Sequence, residues 1–422
     1  MTPEERKQQR LQRRKERRAR RKKRLVIAGA VGVAALVILL LILFRSCDGK
    51  QPSANTPSVP AGTAPMGTSP SQSVGEDTQP TVIHFAATGD LNVTDRLIQS
   101  NLTTEDFSAV IMDVAHLLAD ADLTTVNLEG NLCGVPYGAS ASAPQHLMQA
   151  LSKAGVDMIQ LSNSYAIHRG ISGLMSTIDG VQQAGMEPIG VFRDSAQYAD
   201  KNGFTLFEIQ GVRVAVVGFT KGMDGTTLPP GNEQCVNILY SDYDSVYQKV
   251  NTEKITSVLR AAEAAQPDIT IALLHWGSEF NDSVSSSQKR IIELMRQNGV
   301  DAIIGTHPHY VQSITFDAQS GFLVAYSLGD FISDAARAGT EYSILLDLEI
   351  TKDHASGKTT ITGYDYTPIF SVVEEGKPTR VVRITEAIAA YTAGHTDAVT
   401  QQTYEDMLYA LTRIEARVNG EG

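Results

Sequence analysis

Between residues 81 and 304, short apolar runs alternate with stretches in which apolar positions recur at helical spacing. The runs fall at 81–87, 123–127, 158–161, 212–217, 269–274 and 302–304. Each is short and nearly continuous, as expected of strands covered on both faces. Between most of them lie 106–121, 172–185, 246–265 and 286–298, each with one apolar helical face. This alternation predicts an α/β fold, a mainly parallel sheet covered by helices. Within 204–217, Gln210-Gly211 parts two apolar runs and predicts an antiparallel hairpin. Residues 342–350, 359–366 and 379–384 predict further antiparallel strands, and 386–418 a helix interrupted near Gly394.

The first 80 residues follow a different pattern. Residues 25–44 are 20 consecutive uncharged apolar positions, a helix of about 30 Å, the hydrocarbon thickness of a bilayer. A cleaved signal peptide would carry a shorter apolar stretch and a small-residue cleavage site, whereas Arg45-Ser46-Cys47 follows here. Residues 1–24 hold 13 Lys or Arg against three Glu, so the net charge of −11 divides into about +10 for this arm and about −21 for the rest. The positive-inside rule then predicts a single-pass membrane protein: a basic cytoplasmic arm (1–24), a transmembrane helix (25–44) and an exported remainder. Residues 45–80, rich in Ser, Thr, Pro and Gly, read as a disordered linker. The acidic body excludes nucleic acid as the main partner, because phosphate binding needs a basic patch on the folded part. Cys133 and Cys235 fit no zinc spacing and are compatible with a disulfide or with two free thiols.

In open α/β sheets ligands bind beyond the carboxyl ends of the strands. Five strand ends carry the sequences Gly89-Asp90-Leu91-Asn92, Asn127-Leu128-Glu129-Gly130, Ser162-Asn163-Ser164-Tyr165 with His168 beyond it, His275-Trp276-Gly277, and Gly305-Thr306-His307-Pro308-His309. His-x-His is the strongest of these signals, since residues two apart in extended backbone project to one side and can share a metal region. Carboxylates, imidazoles and an amide oxygen together suit one or two divalent cations. Neither a P-loop nor a G-x-S-x-G elbow is present, which sets aside nucleotide triphosphatase and α/β-hydrolase chemistry.

The order Thr88-Gly89-Asp90, Asn127-Leu128-Glu129, Leu161-Ser162-Asn163 through Gly170, His275-Trp276-Gly277-Ser278-Glu279, Gly305-Thr306-His307-Pro308-His309 and Tyr326-Ser327-Leu328-Gly329-Asp330-Phe331 resembles the CapA-type poly-gamma-glutamate capsule biosynthesis proteins. That family resembles the calcineurin-like metallophosphoesterases. The resemblance implies a calcineurin-like two-sheet sandwich flanked by helices over 81–385, with 386–422 as a C-terminal helical segment. It also implies two divalent ions, Mn, Fe or Zn, with Asp90, Glu129, Asn163, His275, His307 and His309 as ligands. The implied role is in capsule or envelope polymer synthesis, with an anionic polymer or the synthesis machinery as partner and metal-assisted hydrolysis of a phosphoester or amide as the reaction.

One motif departs from the family pattern. Asn-Asn-His-x-x-Asp becomes Asn163-Ser164-Tyr165-Ala166-Ile167-His168, and the usual Ser-Leu-Gly-Asn-Phe carries Asp330 in place of Asn. His168, three residues after Tyr165 and on the same face of a helical turn, is therefore expected to supply the missing proton donor, with Tyr165 assisting. Ser164 and Asn92 are candidate weak ligands. In the alternative reading, the site has decayed into a polymer-binding or assembly surface.

Overall fold

The computed structural model describes residues 79–101, 106–138 and 141–421. The expected arm, membrane helix and nearly all of the linker lie outside them. No helix among the described residues is long and apolar enough to cross a membrane.

Two sheets form the centre. The first holds eight strands: β1 (Thr81–Asn92), β2 (Leu123–Glu129), β3 (Met158–Gln160), β4 (Glu187–Ile189), β11 (Asp330–Ile332), β12 (Tyr342–Lys352), β13 (Thr359–Val372) and β14 (Arg380–Arg383). Their order is β14-β13-β12-β1-β2-β3-β4, with β11 paired to β1 beyond that path. The second sheet holds six: β5 (Thr205–Ile209), β6 (Val212–Thr220), β7 (Ile269–His275), β8 (Ala302–Thr306), β9 (Ile314–Asp317) and β10 (Phe322–Ala325), in the order β5-β6-β7-β8-β10-β9. The helices are α1 (Asp95–Gln99), α2 (Ser108–Ile111), α3 (Ala115–Asp120), α4 (Gln145–Ala154), α5 (Gly170–Gln183), α6 (Ser195–Lys201), α7 (Thr252–Ala264), α8 (Ser286–Gln297), α9 (Ile384–Thr392) and α10 (Gln401–Val418).

Strand periodicity assigns each residue its layer. Ile83, Phe85 and Ala87 of β1 join Val212, Val214 and Val216 of β6 and Ile269, Ile271 and Leu273 of β7 in one cluster between the sheets. The intervening Ala86 faces outward against Leu97, Leu118, Leu147 and Ile178 of the helices covering the first sheet. Val217, Phe219, Ala272 and Leu274 face outward on the second sheet and pack on Ile255, Leu259 and Ile291 of α7 and α8. The result is the expected two-sheet sandwich flanked by helices. Met407, Ala410, Ile414 and Val418 of α10 belong to the cluster between the sheets, so this helix shares the core of the preceding strands.

The hairpin read at Gln210-Gly211 is present: Ile209 pairs with Val212, and both turn residues have positive φ, 55° and 79°. Two helices differ from expectation. Residues 106–121 break into α2 and α3, a kink that buries Val114 while leaving Met112 69% exposed. Residues 246–251 stay irregular because Val250 bridges to Tyr240 and Asn251 caps α7 by accepting from the Lys254 N–H. The C-terminal helix is interrupted as expected, with Gly394 at φ 94° between α9 and α10. Cys133 and Cys235 are both free thiols.

Candidate metal centre

Strands from both sheets end at one place. In the first sheet, register sets Asp90 opposite both Asn127 and Asp330, and Asn92 opposite Glu129. In the second it sets His275 opposite Thr306, directly before His307. The crossing of β1 over the Gly329 segment is close: the Asp90 N–H donates to the Gly329 carbonyl at 3.0 Å, and a Cβ on Gly89 would lie 1.7 Å from that oxygen. Glycine at 89 is therefore a steric requirement of the site. His307 (φ 96°) and His309 (φ 59°) both lie in left-handed backbone, where L-residues are strained.

The side chains collect in two groups: Glu129, His275 and His307, then Asp90, His309 and Asp330, with the donor atoms of each group within 4.8 Å of one another. Each group draws on both sheets. Five of these six residues are under 5% exposed, and His309 is 9% exposed. Asn127 donates to Asp90 Oδ1 at 2.6 Å, and the His307 backbone N–H to Oδ2 at 2.9 Å. His275 Nδ1 lies 3.1 Å from the Thr306 hydroxyl, and its Nε2 lies 3.4 Å from Glu129 Oε1. Such outer contacts fix ligand orientation in metal sites.

The electrostatics are those of carboxylates and imidazoles crowded together away from solvent. Burial, with Asp90 next, pushes the Glu129 carboxyl well above the usual range. Burial also raises Asp90, and it raises Asp330 to about 6. Burial, then the neighbouring imidazoles and Lys221, holds His275 and His307 well below the ordinary histidine value. Burial opposes charge on His309 as well, but its hydrogen bond with Asp330 and the carboxylates of Glu129, Asp330 and Asp90 outweigh that and lift it to about 11. Glu129 Oε1 is buried without a hydrogen-bond partner. A buried orphan acceptor among neutral imidazoles and crowded carboxylates fits divalent cations.

Residues 84–335, more than half of the chain, match the model of the family described as bacterial capsule synthesis protein PGA_cap. The chain belongs to that family. It is 27% identical over 213 residues to the capsule biosynthesis protein CapA of Bacillus anthracis, covering 50% of this chain and 48% of that protein. It is 23% identical over 222 residues to the PGA biosynthesis protein CapA of Bacillus subtilis strain 168, covering 52% and 53% respectively. The chain thus spans about half the length of these curated relatives. Among solved structures, it is similar to the calcineurin-like phosphoesterase YfkN of Bacillus subtilis (14% identity, 79% of this chain and 100% of that one, TM-score 0.44). Another similar structure is a putative 5′-nucleotidase from Staphylococcus aureus (13% identity, 79% and 58%, TM-score 0.43).

In this PGA_cap member, five of the expected ligands, Asp90, Glu129, His275, His307 and His309, come together in the two groups. Asn163 stands behind them. Its amide donates to Asn127 Oδ1 and the Leu128 carbonyl, and its oxygen accepts from the Tyr165 N–H. These contacts tie it to β2, directly behind Glu129. Ser164 reaches the site, its hydroxyl 3.2 Å from His275 Nε2. Asn92 stands near Asp330, whose carboxyl it helps hold down, and the next helix is capped by Thr94.

Tyr165 lines the cavity of about 270 Å³ beside Glu129 and His309. Burial and then the nearby carboxylates push its phenol up to about 12, so it is protonated at neutral pH. His168 is exposed; its ring meets Tyr165 at 5.4 Å between centroids, and it does not line the cavity. Three contributions escaped the sequence reading. Asp330 stood out there only as a departure from the family pattern, yet it is the residue that completes the second group. Asn127 had been read as part of a strand end. Lys221 follows β6 on the second sheet, its Nζ 3.0 Å from His307 Nε2; the β6-β7-β8 strand order brings it there, which no local motif records.

Proposed function

We propose that this chain is a membrane-anchored, metal-dependent hydrolase of metallophosphoesterase type that acts outside the cytoplasm on an anionic capsule or envelope polymer. The carrying observation is the pair of adjacent ligand groups, buried and drawn from both sheets, with Glu129 Oε1 left without a hydrogen-bond partner. Family membership and the capsule-related names of the curated relatives support the polymer context. Mn, Fe or Zn held by Asp90, Glu129, His275, His307, His309 and Asp330 would supply Lewis acidity and a water of lowered pKa. The protein's own groups do the rest. Asn127 and the His307 N–H hold Asp90 in place, and Thr306 orients His275. Tyr165, protonated in the cavity, donates to the leaving oxygen. The acidic body repels a polyanion, so cations at the site also serve its recruitment.

The second reading, a non-catalytic polymer-binding or assembly factor working with the synthesis machinery, is favoured by the exposed position of His168. Metal analysis of the full-length protein in detergent, followed by assays on p-nitrophenyl phosphate and a γ-linked oligoglutamate, separates the two. Bound metal with turnover supports the hydrolase, and bound metal with neither substrate cleaved supports the assembly factor. A chain that binds no Mn, Fe or Zn and gains no melting temperature on their addition sinks the metal-dependent hydrolase.

A further inference from the structure

The cavity beside the ligand groups has an exposed rim formed in part by Phe280 and Arg337. The Arg337 guanidinium carbon lies 4.1 Å from the centroid of the Phe280 ring. That ring stacks in turn on His309, 5.1 Å between centroids with the planes 23° apart. The three side chains form a column from solvent to the second ligand group. Among the described residues, the guanidinium rests on this aromatic face and not on a paired carboxylate, so its donors lie free along the rim.

Both ends of the column are held. Phe280, itself at positive φ, donates its N–H to the Pro308 carbonyl at 2.9 Å, tying it to the His307-Pro308-His309 turn. The Arg337 loop is closed by contacts from Thr340 Oγ1 to the Arg337 carbonyl (2.8 Å), between the Ser333 and Thr340 hydroxyls (3.1 Å), and from Tyr310 Oη to the Ala338 carbonyl (3.1 Å). A cation fixed in this way binds with little ordering cost. Glu279 and Asp334 also line the cavity, so an anion entering past the rim needs a cation there, and Arg337 is the exposed one among the lining residues.

We propose that Arg337, seated on Phe280, grips an oxyanion of the substrate, phosphate or carboxylate, next to the ligand groups. This deepens the hydrolase reading and rests on it for the word substrate. The test uses the full-length chain and its Arg337→Ala and Arg337→Lys variants, each incubated with Mn, assayed for metal and melting temperature, and titrated calorimetrically with inorganic phosphate and with γ-linked triglutamate. Arg337→Ala should weaken binding of one probe or both by about tenfold or more, with Arg337→Lys in between and Mn content unchanged. The probe that responds names the oxyanion. Wild-type affinity in Arg337→Ala, loss of Mn or of melting temperature in that variant, or a wild type that binds neither probe would each overturn the proposal. Arg337-dependent binding in a chain that holds no Mn would sink the hydrolase reading and leave the grip standing.

Discussion

His309 Nδ1 lies 2.8 Å from Asp330 Oδ1, a pair formed where the turn after β8 of one sheet meets β11 of the other. Asp330 is thus bound into the second ligand group by the histidine that follows Pro308. Exchanging it for Asn, the residue of the family pattern, keeps a hydrogen-bond acceptor but removes a charge. Asp330→Asn should lower Mn affinity by about 10- to 100-fold with the fold intact. Calorimetric Mn titration checks this, and unchanged affinity would remove Asp330 from the site.

Without metal, the site makes the protein sensitive to alkali. Glu129 is raised well above the usual carboxyl range and His309 to about 11, so the folded chain binds more protons than the unfolded one. Stability must then fall as pH rises. The favourable part from His309 is complete below the ordinary histidine value of about 6.5 and is lost on the way to its folded value. Asp330, at about 6, has finished titrating by neutrality, and the depressed His275 and His307 act in the opposite sense only below about pH 6.5. Melting temperatures in EDTA should decline from pH 7 toward 8, above which Lys254, brought down to about 8 by burial, acts in the opposite sense, and Mn should flatten that decline. A flat profile in EDTA contradicts the assignment.

Tyr165 and His168 can be told apart by turnover. Tyr165→Phe removes the hydroxyl of a cavity residue and should reduce hydrolysis by roughly 10²- to 10⁴-fold, whereas His168→Ala should leave it within a few-fold. The reverse ranking would restore His168 as the proton donor expected from its helical spacing to Tyr165.

Gly305→Ala tests the geometry beneath the histidines. A Cβ there would come within 2.0 Å of the Tyr326 carbonyl oxygen and 2.4 Å of Nε1 of the fully buried Trp276. Destabilisation of about 2 kcal/mol or more is expected, together with weaker metal retention. Chemical denaturation with and without Mn measures both.

The strand runs, the Gln210-Gly211 hairpin and the polar strand ends were legible because each is written in consecutive residues. Five of the six grouped side chains lie at such ends. Asn163 shows the limit of that reading. Its type suits a ligand, but whether an amide faces an ion or braces a strand depends on Asn127 and Leu128, some 35 residues away. Lys221 and Asp330 depend on sheet order in the same manner. The kink at 112–114 follows from how Val114 packs, which helical periodicity does not encode.

Because each ligand group mixes strands of the two sheets, neither sheet alone assembles a site. A molecule halfway through folding, with one sheet built and the other loose, offers too few donors to keep an ion. On the proposed reading, metal retention would report closure of the sandwich, and hydrolysis would be confined to chains whose two halves have met in register.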